Sequence, residues 1–205
     1  MSIDLLLLIL NEIGVVAFAI SGAIKGIKHS LDLLGIIVLG VLTAIGGGVI
    51  RDVLLNTMPL ILRNELDLIF AIIASLVAYF FARRLEKVSF LIQIFDALGL
   101  AVFTIIGAEK GMEHNLGLLG VIIMGTSTGV GGGMLRDILV GEIPFVLKEE
   151  IYASFAILGS FFYCVLFKYF ALRKEIVIYV IILLIFIGRL IAIKYRLKLP
   201  KVKES

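Results

Sequence analysis

The sequence predicts an all-α polytopic membrane protein of seven transmembrane helices, built as two inverted three-helix repeats with a seventh helix added. Three observations predict it: the composition, the spacing of apolar runs between charged breaks, and an internal duplication. Of the 205 residues, 61% are hydrophobic and 17% charged, where a typical soluble domain has about 45–50% and about 25%. A water-soluble globule of this size has no interior large enough to hide that much apolar surface. A spanning helix needs about 20 mostly apolar residues, so seven spans take roughly 140 positions and leave about 65 for loops and a tail. That describes one transmembrane domain over residues 1–205 and excludes a soluble enzyme, a secreted disulfide scaffold and a disordered chain.

The elements follow in order. The first span, Ile3–Ile24, follows a start with no basic stretch and is followed by no small-residue cleavage site, so it is a retained helix and not a signal peptide. Leu31–Leu55 and Leu66–Ala82 complete repeat one, about residues 3–82. Val88–Ala108, Leu116–Val140 and Ile151–Phe170 form repeat two, about residues 88–170, with the single Cys164 a small hydrophobe inside the last of them. Ile176–Ile193 is the extra helix, with Arg189 near its end expected to snorkel to the headgroups, and a basic tail occupies 194–205. His29 and His114 are too few and too isolated for a metal site. The net charge of +3 comes from basic residues at helix ends and in the tail, which is a membrane-topology pattern and not a nucleic-acid-binding stripe.

Those basic residues orient the chain. With the N-terminus outside, the inner side collects Lys25, Lys28, Arg83, Arg84, Lys87, Lys148, Lys194, Arg196, Lys198, Lys201 and Lys203, eleven in all. The outer side holds the five residues Arg63, Lys110, Lys168, Arg173 and Lys174. The excess predicts an outer N-terminus and an inner C-terminus, with much of it supplied by the tail.

The duplication is the strongest signal. Shifted by 85 residues, Asn11–Glu65 lies over Asp96–Glu150 without a gap, and 24 of the 55 aligned pairs are identical. Gly22-Ala23 meets Gly107-Ala108, Lys25-Gly26 meets Lys110-Gly111, His29 meets His114 and Pro59 meets Pro144. Gly46-Gly47-Gly48-Val49-Ile50-Arg51-Asp52 meets Gly131-Gly132-Gly133-Met134-Leu135-Arg136-Asp137. Shared apolar composition does not align glycines, Arg-Asp and proline together. A period of three spans is odd, so the copies enter the membrane from opposite sides, a layout common in transport folds.

The chemistry concentrates where each glycine triplet precedes a charged pair. Three glycines weaken a helix, each by about 1 kcal/mol relative to alanine, and any backbone freed in a membrane must be satisfied by protein or water. Tight helix packing is the simpler reading of the triplets, since Gly22-x-x-x-Gly26 and Gly129-x-x-x-Gly133 both have the small-xxx-small spacing. Arg51-Asp52 and Arg136-Asp137 then place arginine within apolar spans, where it faces a partner or a wet cavity. Either the pairs border a polar passage or they staple the two halves, and both roles are compatible. Glu12 and Asp96 are candidate ion-pair partners or cation-attracting groups, or neutral hydrogen-bonded carboxyls. Thr43, Ser127 and Thr128 offer hydroxyls to an ion or to a backbone carbonyl. Lys25 and Lys110, at helix ends, read as interfacial anchors. No nucleophile elbow, zinc helix or phosphate loop is present, nor the Thr-Val-Gly-Tyr-Gly potassium filter, so neither an enzyme nor a cofactor is expected.

The doubled Gly-Gly-Gly-x-x-Arg-Asp, each copy preceded by Gly-Ala-x-Lys-Gly, resembles the prokaryotic branch of the trimeric intracellular cation (TRIC) channel family, some of whose bacterial members carry the label glycine transporter. The resemblance covers about residues 3–193. It implies a homotrimer in the plasma membrane of a prokaryote, each protomer having its own pore for monovalent cations, mainly potassium, lined by glycine-kinked second and fifth helices. Carried over, it places Gly46, Gly47, Gly48, Gly131, Gly132 and Gly133 at the kinks, and Arg51, Asp52, Arg136 and Asp137 in or beside the pore. The partners it implies are potassium, membrane lipids and two further copies of the chain. The alternatives are a secondary transporter of a small amino acid such as glycine, its substrate carboxylate held at helix N-termini, and a scaffold whose motif only packs helices.

Overall fold

Every charged break in the sequence needs somewhere to turn, and the chain turns after each long helix. The computed structural model describes residues 3–82, 88–148, 151–170, 172–195 and 197, all helix or short connection. The helices are α1 (Ile3–Lys28), α2 (Leu33–Leu54), α3 (Leu66–Ala82), α4 (Val88–Glu113), α5 (Leu118–Leu139), the single turn α6 (Phe145–Lys148), α7 (Ile151–Phe170) and α8 (Lys174–Tyr195), with a 3-10 turn at Leu60–Leu62. Among the described residues six helices are long and apolar enough to cross a membrane, and α3 falls just short at 17 residues. Arg83, Arg84, Lys87, Arg196, Lys198, Lys201 and Lys203, which carry most of the expected inner charge, lie outside the described residues, as does Glu150 at the end of the aligned repeat.

Two of the expected boundaries move. α1 and α4 extend to Lys28 and Glu113, beyond Ile24 and Ala108, because Lys25 and Lys110 are helical residues and not breaks. Basic groups are favoured at helix C-termini. Each helix stops instead at a residue in the left-handed region, Ser30 (φ 56°) and Asn115 (φ 54°), a common helix ending. The same device ends α2 at Asn56 (φ 52°) and α5 at Gly141 (φ 72°). Both pairs lie 85 residues apart. Asp32 caps α2 by accepting a hydrogen bond from the Gly35 N–H at 2.7 Å, where α5 has Gly117 and no side-chain cap.

α1 and α4 pack together in the centre through Phe18 and Phe103, whose ring centroids are 5.3 Å apart and which are 0% and 3% exposed. α2 and α3 pack on α1, α5 and α7 on α4, and α8 on α4 and α7. The periphery carries Leu34, Phe80, Phe81, Leu119 and Leu184 fully out, a surface suited to lipid. The helical pattern of α2 and α5 runs through both glycine triplets without interruption. The triplets are where the two helices touch: a Cβ on Gly47 would overlap the Thr128 carbonyl oxygen, and one on Gly132 would overlap that of Thr43. Gly46 faces Leu135 and Gly131 faces Ile50, so residue numbers rise on one helix as they fall on the other.

Substituting Gly47→Ala or Gly132→Ala forces a methyl into a backbone carbonyl, a clash with no flexible side chain to absorb it. Each should destabilise the fold by about 1–3 kcal/mol or more, read as a lowered thermal midpoint in detergent. Gly48 has open space, with Arg51 Nη2 the nearest atom at 3.8 Å, so Gly48→Ala should be neutral or stabilising by up to about 1 kcal/mol.

Candidate functional site

Each Arg-Asp pair is a staple before it is anything else. Arg51 Nε donates to Asp52 Oδ1 at 2.7 Å, and Arg136 Nε to Asp137 Oδ1 at 2.9 Å. The second oxygen of each aspartate accepts from the backbone N–H that follows the proline, Leu60 at 2.8 Å and Phe145 at 3.0 Å. A carboxylate saturated in this way fixes the helix end, the arginine and the returning loop together, with charge-assisted bonds stronger than neutral ones. Pro59 and Pro144 thus start the turns that present those amides.

Beyond the staple the two ends differ. Arg136 is wholly buried, with Nη1 donating to Asp96 Oδ1 at 2.6 Å and to Ser21 Oγ at 2.7 Å. Lys25 lies 3.4 Å from Asp137 Oδ1 and 2.9 Å from Glu142 Oε2. His29 Nε2 meets the other Glu142 oxygen at 2.8 Å. The Phe145 ring is 5.0 Å from both Lys25 Nζ and Arg136 Cζ, within cation–π range. This end is a cage of alternating charge, buried at Lys25, Asp96, Arg136 and Asp137 and partly exposed at His29 and Glu142. Lys25 is no interfacial anchor: it is 2% exposed, desolvated because two carboxylates compensate it.

The Arg51 end is open. Among the described residues Arg51 pairs with Asp52 alone, at 2.7 Å from Nη2. Asn11 Nδ2 donates to Asp67 Oδ1 at 3.0 Å beside it, and Glu12 forms no ion pair with Arg51 among the described residues. A cavity of about 260 Å³ lies here between α1, α2 and α4, lined by Asp4, Asn11, Glu12, Arg51, Asn64, Glu109, Lys110 and Glu113 among others. Four carboxylates against two cationic side chains make its wall attractive to cations. Deeper, a hollow of about 20 Å³ bordered by Asn11, Gly48, Arg51, Asp52, Asp67 and Phe103 leaves room for about one water-sized group. Phe18 then packs against Gly99 and Gly132.

The hydroxyls do not face the hollow. Thr43 and Thr128 are buried and donate to Leu39 and Met124 carbonyls of their own helices, each at 2.6 Å, with Gly22 and Gly107 packed on them. Ser127 Oγ donates to Met124 O at 3.3 Å. Arg189 does not snorkel: it is 1% exposed and stacks over Tyr152 with Cζ 4.6 Å from the ring centroid. Sequence reasoning missed Ser21, Asp67, Glu142, Phe145 and Tyr152. Only Asp67 carried a signal, as a carboxylate in the first turn of an apolar helix.

Comparison with known proteins agrees with this architecture. The family model described as glycine transporter matches the chain twice, at residues 8–83 and 93–168, start to start by the same 85-residue offset. The inner membrane protein YadS of the UPF0126 group from Escherichia coli (strain K12) is 37% identical over 193 residues, 93% of each chain. A prokaryotic TRIC channel crystallised in 0.5 M KCl superposes with a TM-score of 0.90 at 37% identity, covering 96% of this chain and 100% of that one. A structure of a TRIC cation channel gives 0.87 at 39% identity, covering 100% and 99%.

Two outcomes test the cage. Lys25→Met removes the ammonium from Glu142, which keeps His29, and from Asp137, which keeps Arg136 and the Phe145 amide, and should cost about 1.5–3 kcal/mol. Its repeat counterpart Lys110→Met, from a half-exposed pair with Glu113, should cost about 0–1 kcal/mol, both read by unfolding in detergent. The Lys25 ammonium, with His29, holds the Glu142 carboxyl down from 4.5 to about 2. A lowered value stabilises the fold at pH above 4.5 and ceases to do so as pH falls through about 2. The difference in thermal midpoint between wild type and Glu142→Gln should therefore shrink across that window.

Proposed function

The chain belongs to the family described as glycine transporter and is a prokaryotic member of the TRIC channels, and from that premise we propose that it is a potassium-permeable monovalent cation channel. Each protomer holds its own pore, lined by α2 and α5 with their glycine triplets as points of bending, and three protomers assemble in the plasma membrane of a prokaryote with the N-terminus outside. All seven long helices span, the first six as two inverted three-helix repeats. The opposed numbering at the α2–α5 contact supports that inversion. The observation that carries the reading is the carboxylate-rich cavity leading to Arg51 and the α2–α5 crossing, in a chain matching cation channels over nearly its whole length. Glu12 and Asp67 draw cations inward, Arg51 is neutralised by Asp52, and the Arg136 cage is the closed end of the path.

A glycine transporter working by exchange of its two repeats would need the Arg51 end to close as the Arg136 end does. The equivalent positions carry other residues. Asp96, Ser21, Glu142 and Phe145 correspond to Asn11, Ile106, Thr57 and Leu60, and Lys110 is turned to Glu113 at 2.6 Å. Among the described residues one end holds a linked ion network and the other lacks its counterpart, which suits a pore with a single closure better than alternating access.

Purified protein in planar bilayers should pass ohmic unitary currents that reverse at the potassium equilibrium potential under a KCl gradient. Absence of unitary currents together with saturable glycine counterflow in vesicles would overturn the channel reading.

A further inference from the structure

α8 has no counterpart in the duplication, yet its first turn reaches the wall of the cavity. Lys174 Nζ pairs with Glu109 Oε1, and the Tyr163 hydroxyl of α7 donates to Glu109 Oε2. Glu109 is 3% exposed and stands in the cavity lining between Ile106 and Lys110. Its counterpart in repeat one is Ile24, so this carboxylate is an addition to the second copy alone. Lys174 remains 20% exposed and its ammonium also lies 5.6 Å from the Phe167 ring centroid. A charge placed in the cavity wall and neutralised from a helix outside the duplicated core is adjustable without disturbing α2 or α5.

We propose that Lys174 sets the cation-attracting strength of the cavity by neutralising Glu109, making α8 the element that tunes ion entry. This rests on the channel reading above. Lys174 is a positioning and charge-compensating residue, and Tyr163 holds the carboxylate in place for it. In water a single elementary charge acts on a cation about 7 Å away by about threefold in local concentration when unscreened; a screening length of about 10 Å at 0.1 M leaves about 1.6-fold, and about 3 Å at 1 M removes nearly all of it.

The test is single-channel conductance of the full-length protein in 0.1 M and 1 M KCl. Lys174→Met should raise conductance about 1.5- to twofold at 0.1 M, and Glu109→Gln should lower it by a similar factor. The double variant should return to the wild-type value, Lys174→Arg should match wild type, and the differences should vanish at 1 M. A structural role for the pair predicts no such opposite signs. Wild-type currents with Lys174→Met unchanged at 0.1 M, or changed equally at both salts, would overturn the inference and leave the channel reading standing. If wild type passes no current, the channel reading fails, and the pairing is read by carbodiimide-driven amidation of Glu109 followed by peptide mass spectrometry. Faster labelling in folded Lys174→Met supports the masking of Glu109, and equal labelling refutes it.

Discussion

The backbone-to-backbone contact of α2 and α5 is the constraint on which the rest of the structure depends. In lipid there is no hydrophobic gain from bringing two helices together, so close packing and polar contacts must hold them. Glycine at positions 47 and 132 allows each helix to press on a carbonyl of the other. That approach brings Arg51 and Arg136, one turn further along each helix, to the two sides of the crossing. It also brings α1 and α4 into range of both, so that Asp96 and Ser21 reach Arg136 while Asn11 stands beside Arg51. Larger residues at the crossing would part the helices and scatter the polar groups.

Held in that frame, equal motifs have acquired unequal surroundings. The staple from aspartate to the post-proline amide is the same in both repeats, within 0.2 Å. What differs lies on neighbouring helices and in the connection after α5: an aspartate where the other copy has asparagine, a serine where it has isoleucine, a glutamate where it has threonine. These differences, with phenylalanine where the other copy has leucine, make one end a largely buried ion cage and leave the other as a cavity. On the proposed reading, function resides less in the repeated motif than in the departures from repetition around it.

Much of this was legible in the sequence. The apolar runs located every long helix, and the 85-residue offset located the paired glycines, arginines and aspartates. The helix C-termini were misjudged because a lysine in an apolar run reads as an interface marker, while Lys25 is buried against Asp137 and Glu142, more than a hundred residues away. Arg189 was misjudged for the same reason, since a long cation near a helix end snorkels unless an aromatic face such as Tyr152 receives it inside. The role of the glycines was legible only in part: their weakness as helix formers suggested interruption, but the contact with a facing backbone is a property of two helices, which one stretch of sequence does not display. The cavity, formed by three helices with no shared motif, left no local trace.

The α2–α5 contact has the form of an interface between identical molecules. Gly47 sits on Thr128 as Gly132 sits on Thr43, the reciprocity of a two-fold homodimer. In a true homodimer every change is imposed on both partners at once. Joining the partners in one polypeptide lifts that obligation, so a mutation on one side leaves its twin untouched. The covalent link between the repeats is thus what permits a symmetric framework to carry a one-sided mechanism.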